Sequence, residues 1–310
     1  MGSRTKPCLI LEGGGVKCAY QYGIMRTLDK FGVLREFGGI AGTSFGALNS
    51  ALYISGGVDR MGEFWGSLSA ATIFNEPMLD KIVDKIYSKQ KVINAQTVLF
   101  VLSQWRNASD KHKEISDLYR KTVIDNVDEK AIRDSGMDFG LVTIEIPSLN
   151  DLLDMTTREM LVNLLTERTF IGTLGMKVRE MTAEDIPEGL MPQFVAASAN
   201  HLAFTPIEIG EAYYTDGGIY DNMPVKLMEG LGYTRFLCIR TNVTEPKKRW
   251  SDKANVVYIT PSEEMGNCAL FSKDKINDLI ALGERDALNF IRSTVGMPGI
   301  TEKPGGMDLE

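Results

Sequence analysis

Histidine is nearly missing from this chain: His112 and His201 are the only two among 310 residues. Any chemistry that needs an imidazole base must use one of them, and a histidine-rich metal centre is excluded. Cysteine is scarce as well. Cys8, Cys18, Cys238 and Cys268 form neither a CxxC pair nor the Cys/His spacing of a metal site, so they read as reduced, mostly buried thiols of a reducing compartment. Long apolar runs are lacking too: the longest, VLFVL at 98–102, falls far short of the roughly 20 residues that a bilayer-spanning helix takes. The apolar stretch at 8–11 is too short for the core of a signal peptide. Nor is there a basic excess. A net charge of -7 argues against nucleic acid as a partner and against strong attraction to anionic membranes, while leaving contact through apolar residues open. The expectation is a cytoplasmic, soluble protein, at most peripheral at a membrane, with no cofactor and no metal.

What remains is an ordinary globular composition, 44% hydrophobic and 24% charged. A chain of this length suffices for one large α/β domain or two small ones, burying about three quarters of its unfolded surface. The first fifty residues repeat one pattern twice. An apolar run at 8–11 enters Gly13-Gly14-Gly15 and a helical stretch over about 16–31, closed by Gly32. A second run at 39–41 enters Gly42-Thr43-Ser44-Phe45-Gly46 and a helical stretch over 47–54, closed by Gly56-Gly57. Strand, glycine turn and helix, twice over, predict an α/β fold with a largely parallel sheet, whose working groups gather where strands end.

From 58 to about 135 the pattern turns helical. Met61, Phe64, Trp65 and Leu68 recur at helical spacing, as do Leu79, Ile82, Val83 and Ile86. This block reads as a helical insertion or cap. Strand-like runs return at 139–146, 212–215, 236–240 and 256–260, and an amphipathic helix over about 275–291 closes the pattern. No linker divides the chain, so one domain is expected over 6–292, with a tail at 293–310.

Three glycine-rich elements carry the chemistry. Gly42-x-Ser44-x-Gly46, after a strand and before a helix, suits a nucleophile on a sharp turn with small neighbours; a serine capping a helix is the plainer use of the same residues. Such a nucleophile needs a base. His112 lies in a polar run, SDKHKE, that reads as solvated surface, and His201 reads as structural or as a pocket wall. Neither follows the best acid in the order serine, acid, histidine, so a histidine triad is disfavoured. Asp216-Gly217-Gly218 ends a strand on a tight turn, and Asn222 and Pro224 start a helix at Val225. Glu12-Gly13-Gly14-Gly15-Val16-Lys17 exposes backbone N–H groups at a helix start, where an oxyanion or a phosphate would be held. A dinucleotide loop would need a complete GxGxxG or a Gly-Lys-Ser/Thr ending, and Cys18 stands where the last glycine would be.

In order and spacing these elements resemble the patatin-like phospholipase family, over about 6–291. Ala196-Ala197-Ser198-Ala199, Asn222-x-Pro224, and Pro261-Ser262 leading to Phe271 also look like that family. The resemblance implies a three-layer patatin-like fold and a Ser–Asp dyad, with Ser44 as nucleophile and Asp216 as the catalytic acid. It implies an oxyanion hole at Gly13, Gly14, Gly15, Val16 and Lys17, with Gly42, Gly46, Gly217 and Gly218 shaping the turns. The implied activity is hydrolysis of fatty-acyl esters in phospholipids, lysophospholipids or neutral glycerides. Cys18 departs from the family glycine, and Glu12 from its aspartate; a Cβ at position 18 favours negative φ. A catalytically silent lipid- or acyl-binding protein is the alternative. Phe64, Trp65, Phe74, Leu99, Phe100, Leu102 and Trp105 would line an acyl pocket, touch lipid or simply pack the core. Lys247-Lys248-Arg249-Trp250 has the composition of a small interfacial anchor, though a solvated loop is the commoner use of such a run.

Overall fold

Cys8, Leu9, Ile10 and Leu11 are all buried, and their side chains alternate between two separate apolar clusters. Leu9 and Leu11 join Ile40 in the larger cluster; Cys8 and Ile10 join Ala41, Met223, Val225, Met228 and Trp250 in the smaller. A strand apolar on both faces belongs inside a parallel sheet covered by helices on either side. The computed structural model describes residues 4–70, 95–146, 148, 150, 152, 170–266 and 272–294. In chain order the strands are β1 (Cys8–Leu11), β2 (Gly39–Thr43), β3 (Asp138–Ile146), β4 (Lys177–Thr182), β5 (Ile207–Ile209), β6 (Ala212–Asp216), β7 (Arg235–Ile239) and β8 (Asn255–Ile259). The helices are α1 (Ala19–Lys30), α2 (Phe45–Ala70), α3 (Ala95–Arg106), α4 (Asp110–Ile124), α5 (Glu129–Asp134), α6 (Phe170–Thr173), α7 (Met191–Ser198), α8 (Val225–Gly230) and α9 (Lys273–Thr294).

The strands form one mixed sheet, with β3, β2, β1, β7 and β8 adjacent in that order and all parallel. Helices α1, α2 and α9 pack on one face, and α8 on the other, giving the three-layer α/β architecture. The antiparallel part is built on β3. Val142 and Thr143 both pair with β4 across one edge. On the opposite edge Val142 pairs with Thr43 of β2, and Thr143 pairs with Asp216 of β6. Strands β2 and β6 therefore run toward each other along the same edge of β3, and their C-terminal ends meet at the Val142–Thr143 step.

The expected parallel core and the closing helix are present, and the segments at 139–146, 212–215, 236–240 and 256–260 fall within β3, β6, β7 and β8, with 240 and 260 just past the strand ends. Three features differ from expectation. The helix after the glycines begins as a tight 3-10 turn, Gly15–Cys18, before α1. The second helix does not stop at Gly56-Gly57 but bends there, Gly57 taking a left-handed φ of 69°, and resumes at once. Strands β4 and β5 escaped notice because β4 is charged, with Lys177 and Arg179 pairing to Glu145 of β3, and β5 is only three residues long. The described residues between 58 and 135 are helices joined by short turns at 107–109 and 125–128; the expected helical run at Leu79–Ile86, Phe74, Cys268, Phe271 and everything after 294 lie outside the described residues. No helix among the described residues is long and apolar enough to cross a membrane.

Helix α2 leaves the end of β2 pressed against β1. A Cβ on Gly46 would sit 2.2 Å from the Leu11 carbonyl oxygen, a contact that only backbone movement relieves. Gly46→Ala is expected to lower the unfolding free energy by about 1–3 kcal/mol, the usual cost of overpacking, read from the midpoint of a urea titration.

Candidate active site

The chain turns from β2 into α2 at one residue. Among the described residues Ser44 is the one non-glycine with a left-handed backbone, at φ 58°. A side chain held there costs about 1–3 kcal/mol and persists only where the surroundings enforce it. Gly42 and Gly46 let the strand and the helix close on each other, since a Cβ on Gly42 would lie 2.3 Å from the Gly46 carbonyl carbon. The turn lifts the serine side chain off the sheet, where its Oγ donates to Asp216 Oδ2 at 2.6 Å.

Asp216 reaches this point because β6 ends against the same step of β3. Its Oδ1 accepts the Gly218 N–H at 2.7 Å, and its own N–H donates to the Asn200 carbonyl at 3.2 Å. Two more bonds close the seam: Thr43 Oγ1 donates to the Asp221 carbonyl at 2.8 Å, and Thr143 Oγ1 to the Thr215 carbonyl at 2.7 Å. Ser44 and Asp216 are each only 6% exposed. Burial raises the Asp216 carboxyl to about 6, against the opposing pull of the bonds from Ser44 and Gly218, which favour its charged form. Nearby aromatic packing keeps water away. Phe45 lies against Trp65 and Tyr119, and Tyr119 stacks on Phe204 with ring centroids 4.3 Å apart. Burial, and after it the Asp216 charge, push the Tyr119 phenol well above its usual value.

The glycine loop is clamped at its first member. The Gly13 N–H donates to the Asn222 carbonyl at 3.1 Å, while its own carbonyl accepts from Asn222 Nδ2 at 2.9 Å and Thr241 Oγ1 at 2.6 Å. A Cβ on Gly13 would lie 3.0 Å from the Ser44 Cβ, which sets the loop beside the serine. Lys17 N–H returns to the Gly14 carbonyl, and Lys17 Nζ donates to Asn242 Oδ1. The N–H groups of Gly14, Gly15 and Val16 have no internal acceptor among the described residues. Glu12 is held below the loop: Oε2 accepts the Thr241 N–H at 2.7 Å and lies 3.5 Å from Arg240 Nε.

Cys18 brings no strain. Its φ of -69° and ψ of -8° are right-handed helical, where a Cβ is welcome, and its buried Sγ faces the Glu12 carbonyl. The two histidines are seated on one backbone segment: His112 Nε2 meets the Ala203 carbonyl at 2.7 Å and His201 Nδ1 accepts the Ala203 N–H at 3.1 Å. Burial lowers His201 to about 4. His112 corrects the reading of solvated surface. It is 3% exposed, because the polar run is the outer face of α4 while His112, Ile115, Ser116 and Tyr119 share the inner one.

The proposed anchor fails for a similar reason. Trp250 packs into the smaller apolar cluster, and Arg249 stacks 4.1 Å over the Tyr220 ring, so no exposed aromatic accompanies the basic residues. Phe64, Trp65, Leu102 and Trp105 are core residues, and the Leu99 side chain lies outside the described residues. Sequence reasoning passed over Thr241, which lies two residues past the end of β7, at the sheet end where working groups collect; that position was the available signal.

The family model described as Patatin-like phospholipase matches residues 9–228. Among solved structures, the crystal structure of VipD from Legionella pneumophila shares 12% identity at a TM-score of 0.47, covering 94% of this chain and 67% of that one. A chain of the complex of full-length SpcU with full-length ExoU, from the type III secretion system of Pseudomonas aeruginosa, shares 15% identity at a TM-score of 0.37, covering 94% and 53%. No curated protein matches.

The raised Asp216 value has a sign that can be measured. A carboxyl whose folded value, about 6, exceeds its unfolded 3.8 is favoured as the neutral acid in the fold. Its contribution is complete below pH 4 and lost as pH rises through 6. Asp216→Asn is expected to be more stable than the wild type at pH 8 by up to about 3 kcal/mol, at 1.36 kcal/mol per unit. The gain should shrink toward zero at pH 3.5, as read by thermal melts across the range.

Proposed function

We propose that this chain, which belongs to the patatin-like phospholipase family, hydrolyses fatty-acyl esters with Ser44 as nucleophile and Asp216 as its base. The observation that carries the reading is the 2.6 Å bond from Ser44 Oγ to the Asp216 carboxylate. It is supported by the engagement of both histidines with the Ala203 backbone.

In the first half of the reaction Ser44 Oγ attacks the ester carbonyl carbon while its proton passes to Asp216 Oδ2. The carbonyl oxygen gains the negative charge and is held by the unsatisfied N–H groups of Gly14 and Gly15, with Val16 next to them. The tetrahedral species collapses, the bond to the leaving alcohol breaks, and Asp216 returns the proton to that alcohol. In the second half Asp216 takes a proton from water, the hydroxide attacks the acyl-serine, and Ser44 leaves with the proton. A carboxylate near its ordinary value would be a poor base at neutral pH. Burial to about 6 brings Asp216 close to the working range while leaving most of it ionised at pH 7.

The substrates fitting this chemistry are phospholipids, lysophospholipids or neutral glycerides, met at a membrane by peripheral contact. Of the five expected oxyanion residues, Gly13 and Lys17 act in this scheme through their shape and side chain, because their N–H groups are already bonded. A silent lipid-binding protein would need a spoiled oxyanion loop, and the helical backbone of Cys18 supplies no reason for one.

Ser44→Ala and Asp216→Asn are each expected to lower hydrolysis of a fluorogenic acyl ester by about a thousandfold or more with the fold retained. Lipid-extract mass spectrometry with the wild type and Ser44→Ala identifies the substrate; equal product from both would overturn the reading. The rate should rise through an acid limb centred near pH 6 and level off above it. Matched esters and amides should also separate strongly, because a single carboxyl must protonate the leaving group; comparable turnover of the two would count against the dyad.

A further inference from the structure

Ser198, the last residue of α7, is fully buried. Its hydroxyl donates to the Val142 carbonyl at 2.7 Å and accepts the backbone N–H of Ser44 at 3.0 Å. A hydroxyl carries one proton; with that proton committed to Val142, a lone pair is left for the Ser44 amide. Val142 is the β3 residue beside the seam where β2 and β6 meet, pairing with Thr43 while its neighbour Thr143 pairs with Asp216. Gly217, directly after Asp216, rests on the same carbonyl: a Cβ there would lie 2.2 Å from the Val142 oxygen. One carbonyl thus meets both halves of the site, on one side through Ser198 and on the other through Gly217.

The left-handed backbone of Ser44 has to be held in place. A buried N–H without an acceptor costs about 1–3 kcal/mol, so the Ser198 hydroxyl and the strained turn support each other. We propose that Ser198 is the positioning residue of the nucleophile. It captures the Ser44 amide, fixes the turn in its left-handed form and so keeps Ser44 Oγ on Asp216. By occupying that amide it also withdraws the serine's own N–H from the oxyanion, leaving that charge to the glycine loop. The inference rests on the proposed esterase reading.

Its test uses the full chain, a fluorophosphonate probe and a soluble acyl ester. Ser198→Ala is expected to lower kcat and the labelling rate of Ser44 by about 30–100-fold while KM stays within about threefold, the signature of misplacement rather than weakened binding. Ser198→Thr keeps the hydroxyl and is expected to recover kcat to within about fivefold of the wild type. Ser116→Ala is the control for loss of a buried hydroxyl: Ser116 is equally buried, and its Oγ bonds to the His112 carbonyl and the Thr205 N–H. Its kcat is expected to stay within about twofold of the wild type. Labelling of Ser198→Ala at the wild-type rate, or equal losses in Ser198→Ala and Ser116→Ala, would overturn the assignment. A wild type that the probe does not label would overturn the esterase reading itself, and the positioning role with it.

Discussion

The arrangement turns on one edge of one strand. β3 is long enough to pair with β2 over its first half and with β6 over its second, on the same side. Two strands arriving from opposite directions cannot overlap on one edge, so each must leave the sheet where they meet. Ser44 is the residue at which the first leaves, and Asp216 is the last of the second. Their contact follows from hydrogen-bond register, an interaction repeated along nine residues of β3, rather than from any attraction between the two side chains. The hydroxyls of Thr43, Thr143 and Ser198 tie the break closed.

Placing a carboxylate at such a break sets two demands against each other. The site must be dry enough to lift Asp216 from its ordinary range, yet the acid must still find donors when ionised. The aromatic packing of Phe45, Tyr119 and Phe204 supplies the first; the Ser44 hydroxyl and the Gly218 N–H supply the second. Removing water stabilises the neutral acid, and donating to it stabilises the anion. The value near 6 is the balance between them, and the fold gives up stability at neutral pH to hold it.

Much of this could be read along the chain, for reasons that differ by element. The parallel core announces itself because β1 and β2 are apolar on both faces and run straight into glycine turns, a local pattern. α9 shows its apolar stripe at helical spacing. β4 hides because its charges satisfy one another only across strands, Arg179 with Glu145. His112 and Trp250 were misjudged by the company they keep in sequence: polar neighbours occupy the far side of α4, and basic neighbours border a loop whose tryptophan turns inward. Ser198 is a polar residue closing an apolar helix and Thr241 lies in a polar run just past β7, and their partners lie 154 and 228 positions away. Register, too, leaves no local trace. Nothing in the composition of β2 or β6 tells that they share an edge.

The bend in α2 separates two jobs along one helix. From Phe45 to Ser55 the helix is fastened to the sheet and aims its first turn at the serine; beyond Gly57 it belongs to the helical block. Apart from its chain neighbours and the adjoining helix backbone, no heavy atom lies within 4 Å of where a Cβ on Gly57 would be, and what sets the residue apart there is its φ of 69°. The glycine sets the angle at which the second half departs, and fully buried Trp65 of that half donates to Asn49 Oδ1 at 3.0 Å, tying it back to the first. Trp65 also packs against Phe45, the residue after Ser44, so the orientation of the helical block bears directly on the serine turn.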